Sequence, residues 1–146
     1  MRAKLMMLVG ALMLLAGCAA IGSKFTEMKA SIPALKQGEG RVYFYRSASM
    51  FGAAIQPEIR LNGAVVGSSV PGGFFFVDRP PANYEANAST EVERKLTFTL
   101  AAGETKYVRT SPSFGVLVGR INFDLVNGSE AAAEMEGLSF TGDVSK

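Results

Sequence analysis

The sequence predicts an all-β protein, a single antiparallel β-sandwich closed by a short C-terminal helix. Three observations predict it. Short aromatic and β-branched runs recur from Arg41 onward, each bounded by Gly, Pro or Asn. Apolar and polar residues alternate along several of them, as a sheet with one covered face requires. Only SEAAAEMEGL, residues 129–138, has an alanine-rich helical composition, with Ser129 as the expected N-cap. About eight strands in so short a segment suit two packed sheets, and no internal repeat is visible.

Residues 1–17 read as an export signal. Arg2 and Lys4 make a positive start, and residues 5–15, LMMLVGALMLL, form an uncharged run. As a helix that run reaches about 16 Å, half of a ~30 Å hydrocarbon core, too short for a permanent span. The small residues Ala16 and Gly17 complete the layout. Leu15-Ala16-Gly17-Cys18 resembles the bacterial lipobox, and Cys18 is the only cysteine. In such precursors the cysteine thiol takes a diacylglycerol, cleavage follows just before it, and the new amino terminus is acylated. A soft thiol is the suitable nucleophile for that transfer. The competing reading, a structural cysteine in a core helix, does not account for a signal layout that ends at this residue.

Removing 17 of 146 residues leaves 129, and Arg2 and Lys4 go with them, so 13 of 15 basic side chains face 13 acidic ones. No electrostatic footprint for nucleic acid remains. Acyl chains on Cys18, each buried methylene contributing ~0.8 kcal/mol, would hold the protein on a membrane. Ala19 stands where an aspartate would retain an enteric-type lipoprotein in the inner membrane. The expected place is the outer membrane, facing the periplasm, with the inner membrane as the alternative.

Residues 18–39 read as the lipidated N-terminus and a flexible tether, punctuated by Gly22, Ser23 and Gly38. Phe25, Met28, Ile32 and Leu35 fall at near-helical spacing, but Pro33 limits any helix to a turn or two that docks on the domain or the membrane.

Residues 40–146 form the sandwich domain. RVYFYR is the first strand, and PEIRLNGAVVG is a hairpin turning at Asn62-Gly63. PGGFFFVDRPP opens at Gly72-Gly73 and stops at Pro80-Pro81, and NYEANAS follows as a short strand. VERKLTFTLAAGETKYVRT turns at Ala102-Gly103 and returns through Tyr107 and Val108. FGVLVGRINFDLV places Leu117, Ile121, Phe123 and Leu125 on one face.

Alternation puts Phe74 and Phe76 on one face of their strand and Phe75 on the other. Either the second face is covered too, by the leader, the C-terminal helix or a sheet edge, or Phe75 is an exposed contact residue. Tyr43 and Tyr45, set against Val42 and Phe44, raise the same choice.

Catalysis finds little support, and the expectation is no enzyme and no cofactor. There is no histidine, so the usual general base and commonest metal ligand are missing. No Gly-x-Ser-x-Gly or Ser-x-x-Lys pattern occurs. Glu91 and Glu93 share a strand face, where solvated charge is the simpler reading. Asp78, Asp124 and Asp143 lack calcium-loop spacing, and FGVLVG lacks a phosphate-loop lysine. Arg46 and Arg120 sit among dense apolar residues and are candidate binding residues with Phe75. A guanidinium there could hold a peptide or glycan carboxylate. The plainer reading is rim charge paired with Glu58, Glu85 or Asp124.

GEGRVYFYR, GAAIQPEIRLNGAVVG, PGGFFFVDRPPANYE and LTFTLAAGETKYVR resemble the domain of unknown function 2846 family of bacterial envelope lipoproteins, over about residues 38–126. The shared elements are a tyrosine-and-arginine first strand, an Asn-Gly hairpin, a Gly-aromatic strand, a Pro-x-x-Tyr turn and a Gly-Glu-x-x-Tyr hairpin. Ala82-Asn83 depart from the Pro-Gly that members often carry, although Asn tolerates the left-handed conformation such a turn uses. The resemblance implies a prealbumin-like or immunoglobulin-like sandwich on a lipid anchor, with no established activity and no catalytic residues to transfer. The expected function is a non-enzymatic module that docks an envelope protein or peptide through a sheet edge or the Phe75 face. The alternative is a small-ligand or glycan-binding lipoprotein.

Overall fold

A computed structural model describes residues 19–90, 93–117 and 119–142. Among the described residues nine strands and two short helices run in the order α1 (Phe25–Met28), β1 (Gly40–Tyr45), β2 (Glu58–Leu61), β3 (Ala64–Ser68), β4 (Gly73–Arg79), β5 (Ala82–Ala88), β6 (Arg94–Leu100), β7 (Thr105–Ser113), β8 (Arg120–Val126), α2 (Gly128–Met135) and β9 (Ser139–Phe140). They build a five-stranded sheet, β8-β7-β1-β4-β9, against a four-stranded sheet, β3-β2-β5-β6. The arrangement is sandwich-like, but the larger sheet is mixed, which corrects the purely antiparallel expectation. β1 runs parallel to β7 and β4 parallel to β9.

The cause lies at Ala101–Glu104. Gly103 takes φ 74° in the expected tight turn, but the chain crosses there to the other sheet and does not fold back on β6. Gly103 N–H donates to the Glu39 carbonyl and Arg41 N–H to the Glu104 carbonyl, both at 2.8 Å, which seats β7 beside β1. The expected hairpin is therefore a connection between sheets. At Asn62 (φ 48°) and Gly63 (φ 84°) the reading holds: both residues are left-handed, and Leu61 pairs with Ala64 across a two-residue turn.

Between the sheets lies a core of Val42, Phe44, Ile59, Leu61, Phe75, Ala86, Leu100 and Val108. The outer face of the five-stranded sheet is also covered. Tyr43, Tyr45 and Phe74 pack under Phe25 and Met28 of α1 and Ala131 and Met135 of α2. Phe25 meets Phe74 edge-on at 5.3 Å. This second layer makes every residue of β1 buried. The described part of the leader docks on the domain: Ala20 N–H reaches the Pro71 carbonyl and Phe25 N–H the Leu138 carbonyl.

Helix α2 is capped by Asn127, whose side chain accepts from Glu130 N–H at 3.0 Å; the expected cap, Ser129, instead donates to Asn127 Oδ1 at 2.7 Å. Tyr45 Oη donates to Glu134 at 2.5 Å, and Arg109 bridges Glu130 and Glu134, tying α2 to the sheet. β8 begins only at Arg120, so the expected apolar face is interrupted. Ile121 is buried and Phe123 joins the core, but Leu117 and Leu125 are exposed. Asn83 lies within β5 opposite Thr99, so no left-handed turn is needed there.

Candidate functional site

The sandwich is open along one side, between β3 and β4. Arg46 N–H donates to the Gly73 carbonyl, and the register then makes 44–75, 42–77 and 40–79 the mutually bonded pairs of β1 and β4. Phe74, Phe76 and Asp78 consequently aim their backbone groups away from β1. β9 meets only Gly73 and Phe74, and Thr141 N–H takes the Phe74 carbonyl. Beyond that point β4 has no strand neighbour on this side among the described residues. β3 is likewise an edge, paired on one side to β2.

A cleft of about 990 Å3 occupies this seam. Val65, Val66, Phe75, Phe76 and Val77 give it apolar walls, and Lys36, Glu39, Asp78 and Arg79 bring charge to one end. Gly67 also lines it, and a Cβ there would stand 2.5 Å from Phe75 Cζ. Asp78 is held by Arg41 through two hydrogen bonds, 2.6 Å from Nε and 2.8 Å from Nη2. The Arg41 guanidinium also lies 4.5 Å over the Phe76 ring. The Asp78 hydrogen bond holds the Arg41 pKa above its ordinary value, so its charge is permanent. Arg79 Nη1 donates to the Asp78 carbonyl at 2.8 Å, occupying one acceptor of the otherwise unpaired edge.

The residues singled out in the sequence do not converge here. Phe75 is 2 % exposed and stacks on Phe44 with centroids 5.2 Å apart, so it is core and not an exposed contact, though its edge forms part of the cleft floor. Tyr43 and Tyr45 are buried in the outer layer, and burial raises the pKa of both. Arg46 is 1 % exposed and far from rim charge. It donates to the carbonyls of Ile55 (2.6 Å), Ser69 (3.1 Å) and Gly52 (2.7 Å), while Nε has no partner among the described residues. Burial lowers its pKa. All its bonded acceptors among the described residues are backbone, so Arg46 shapes the 47–57 loop, and carbonyls stand where the plainer reading expected a Glu or Asp partner. Arg120 is half-buried at the start of β8, its Nε also without a partner among the described residues. Cys18, the signal and Glu91 lie outside the described residues.

The seam itself was not anticipated at these residues. No sequence feature marks it; it arises in the structure because β9, two residues long, stops short beside the seven residues of β4.

A family profile described as a protein of unknown function (DUF2846) matches residues 36–121. No curated protein and no solved structure matches the chain.

Proposed function

The chain belongs to the DUF2846 family, and from that premise we propose that it is a lipid-anchored envelope protein whose sandwich docks a protein or peptide, without catalysis, at the β3–β4 seam. The observation that carries this is the unpaired outer edge of β4 facing an apolar-walled cleft. A strand laid along Phe76 to Asp78 would find main-chain partners, and the walls would take its alternate side chains. Arg79 and Lys36 stand ready to orient an acidic group. The anchor is the diacylglycerol carried as a thioether on Cys18, with its acylated amino terminus, and the site is the outer membrane, facing the periplasm. Of the two sandwich types the resemblance implies, the immunoglobulin constant arrangement keeps strands one, two, four and five in one sheet. Here β1 and β4 oppose β2 and β5, which favours the prealbumin-like type.

The test is photo-crosslinking in cells with a probe at Val65, 48 % exposed on the β3 edge, and a control at exposed Ala133 on α2. A discrete protein adduct at 65 that the control lacks supports docking and supplies the partner for identification. The cleft volume favours one second reading, since about 300–1,000 Å3 suits a small ligand. No protein adduct at 65, with a small molecule co-purifying in native mass spectrometry, would replace docking with ligand binding. The anchor is tested by intact mass: the mature chain should begin at Cys18 and carry acyl chains that Cys18→Ser abolishes.

A further inference from the structure

Two loops at one end of the five-stranded sheet present large apolar side chains to solvent. Met50 is 86 % and Phe51 45 % exposed on the loop between β1 and β2. Phe114, Val116 and Leu117, on the β7–β8 loop, are 83 %, 82 % and 89 % exposed. The loops form one body. Phe51 and Phe114 meet edge-on with centroids 4.9 Å apart. A Cβ on Gly52 would stand 2.6 Å from Pro112, and one on Gly119 would overlap Ile55. Two carbonyl bonds of buried Arg46, to Gly52 and Ile55, hold the first loop in shape from below, and a third ties it to Ser69. These apolar tips are therefore displayed by a built support.

The surrounding chain carries no charge. Residues 19–23, 47–57, 68–73 and 111–119 contain no Asp, Glu, Lys or Arg. Strand directions bring all four segments to the same end: β1 and β7 finish there, while β4 and β8 start there. Charges return at Arg120 on the rim and, on the four-stranded sheet, at Glu58, Glu93 and Arg94. The opposite end carries Glu39, Arg41, Asp78, Arg79, Glu104 and Lys106.

The leader enters at the uncharged end. Ala20 N–H is bonded to the Pro71 carbonyl at 3.2 Å, and Ile21 is 91 % exposed beside it in sequence. Two residues of chain can hold Cys18 no farther than about 7 Å from Ala20. We infer that the 47–57 loop and residues 114–117, with Ile21, are a membrane seat: they enter the lipid interface beside the acylated Cys18 and stand the sandwich end-on. This rests on the lipid-anchor reading above. Apolar side chains on such loops reach about 5–10 Å into the headgroup–acyl boundary. The uncharged rim spares the desolvation that Lys or Glu would bring, and Arg120 lies where a lipid phosphate would pair with it. The occupant is lipid, because a lipidated residue is tethered within one loop's width of the patch.

The chain has no tryptophan, so one introduced indole reports alone. The full lipidated protein, as Phe51→Trp, Phe114→Trp or the far-end control Ala101→Trp, is reconstituted in phosphatidylethanolamine–phosphatidylglycerol vesicles with brominated acyl chains. The seat requires emission from the first two variants to be quenched several-fold more strongly than from the control. A protein that floats with the vesicles while all three stay unquenched keeps its anchor and loses the seat. Blue-shifted emission at 51 and 114 that bromine leaves untouched assigns the patch to a second copy or a protein partner and overturns the seat. A protein that does not float overturns anchor and seat together. The double variant Phe51→Ser/Phe114→Ser, altered only at exposed tips, should still float but allow a protease to cut the 47–57 loop on the vesicle.

Discussion

Arg41 and Asp78, paired across β1 and β4, share two short parallel hydrogen bonds at the rim of the cleft. Arg41 is 6 % exposed, so its guanidinium has this carboxylate in place of most of its hydration. Asp78→Asn should destabilise the fold by about 3 kcal/mol, the usual cost of leaving one partner of a buried pair alone. Replacing both, Arg41→Met with Asp78→Leu, should cost less than Asp78→Asn alone. Urea unfolding of the three proteins checks this through the shift in midpoint.

Phe75 provides a direct measure of core against contact. Phe75→Ala should cost about 3–5 kcal/mol, because the ring stacked on Phe44 leaves a cavity between the sheets. Gly67→Ala should cost about 1–3 kcal/mol from the other direction, by forcing a methyl into the Phe75 ring. Thermal unfolding reads both. A contact residue at 75 would leave the transition unmoved.

Removing the Arg46 guanidinium frees three loop carbonyls at once. Arg46→Met should cost about 1–3 kcal/mol, and hydrogen exchange should quicken in residues 47–57 before it changes in β1. Arg46→Lys should restore little, since one ammonium on a single stem does not reproduce a fork that spans Gly52, Ile55 and Ser69.

Tyr43 and Tyr45 set the alkaline limit. Burial raises both pKa values, and at Tyr45 the hydrogen bond to Glu134 adds to it. A phenol whose folded pKa lies above its unfolded value of about 10 lends full stability below pH 10 and loses it as pH rises further. Stability should therefore fall above pH 10, more steeply in the native chain than in Tyr43→Phe/Tyr45→Phe. Absorbance at 295 nm should show a late-ionising component that the double variant lacks.

These sites show which parts of the fold could be read from residues alone. The Asn62-Gly63 hairpin was legible because both positive φ angles are a property of that residue pair. The Ala102-Gly103 turn was equally visible, yet its destination was not. A local turn does not encode which sheet the next strand joins, and the β1–β7 pairing that decides it lies 64 residues apart at Arg41 and Thr105. Alternation separated Phe74 from Phe75 correctly, but it says nothing of what covers a face, and here α1 and α2 cover the second one. The partners of Arg46 were invisible for a simpler reason. They are main-chain carbonyls, which every residue carries. The β3–β4 seam was hidden because it is made by a neighbour that stops short.

The central place of β1 sets an order of events for the growing chain. β1 is the first strand to be made, yet its parallel neighbour β7 begins only at Thr105. Until then Val42, Tyr43, Phe44 and Tyr45 form a sticky ribbon with one side bare, the kind of segment that self-associates. A chain truncated before Thr105 should aggregate however well its hairpins form, and the intact one should refold slowly, because the decisive pairing joins strands 64 residues apart.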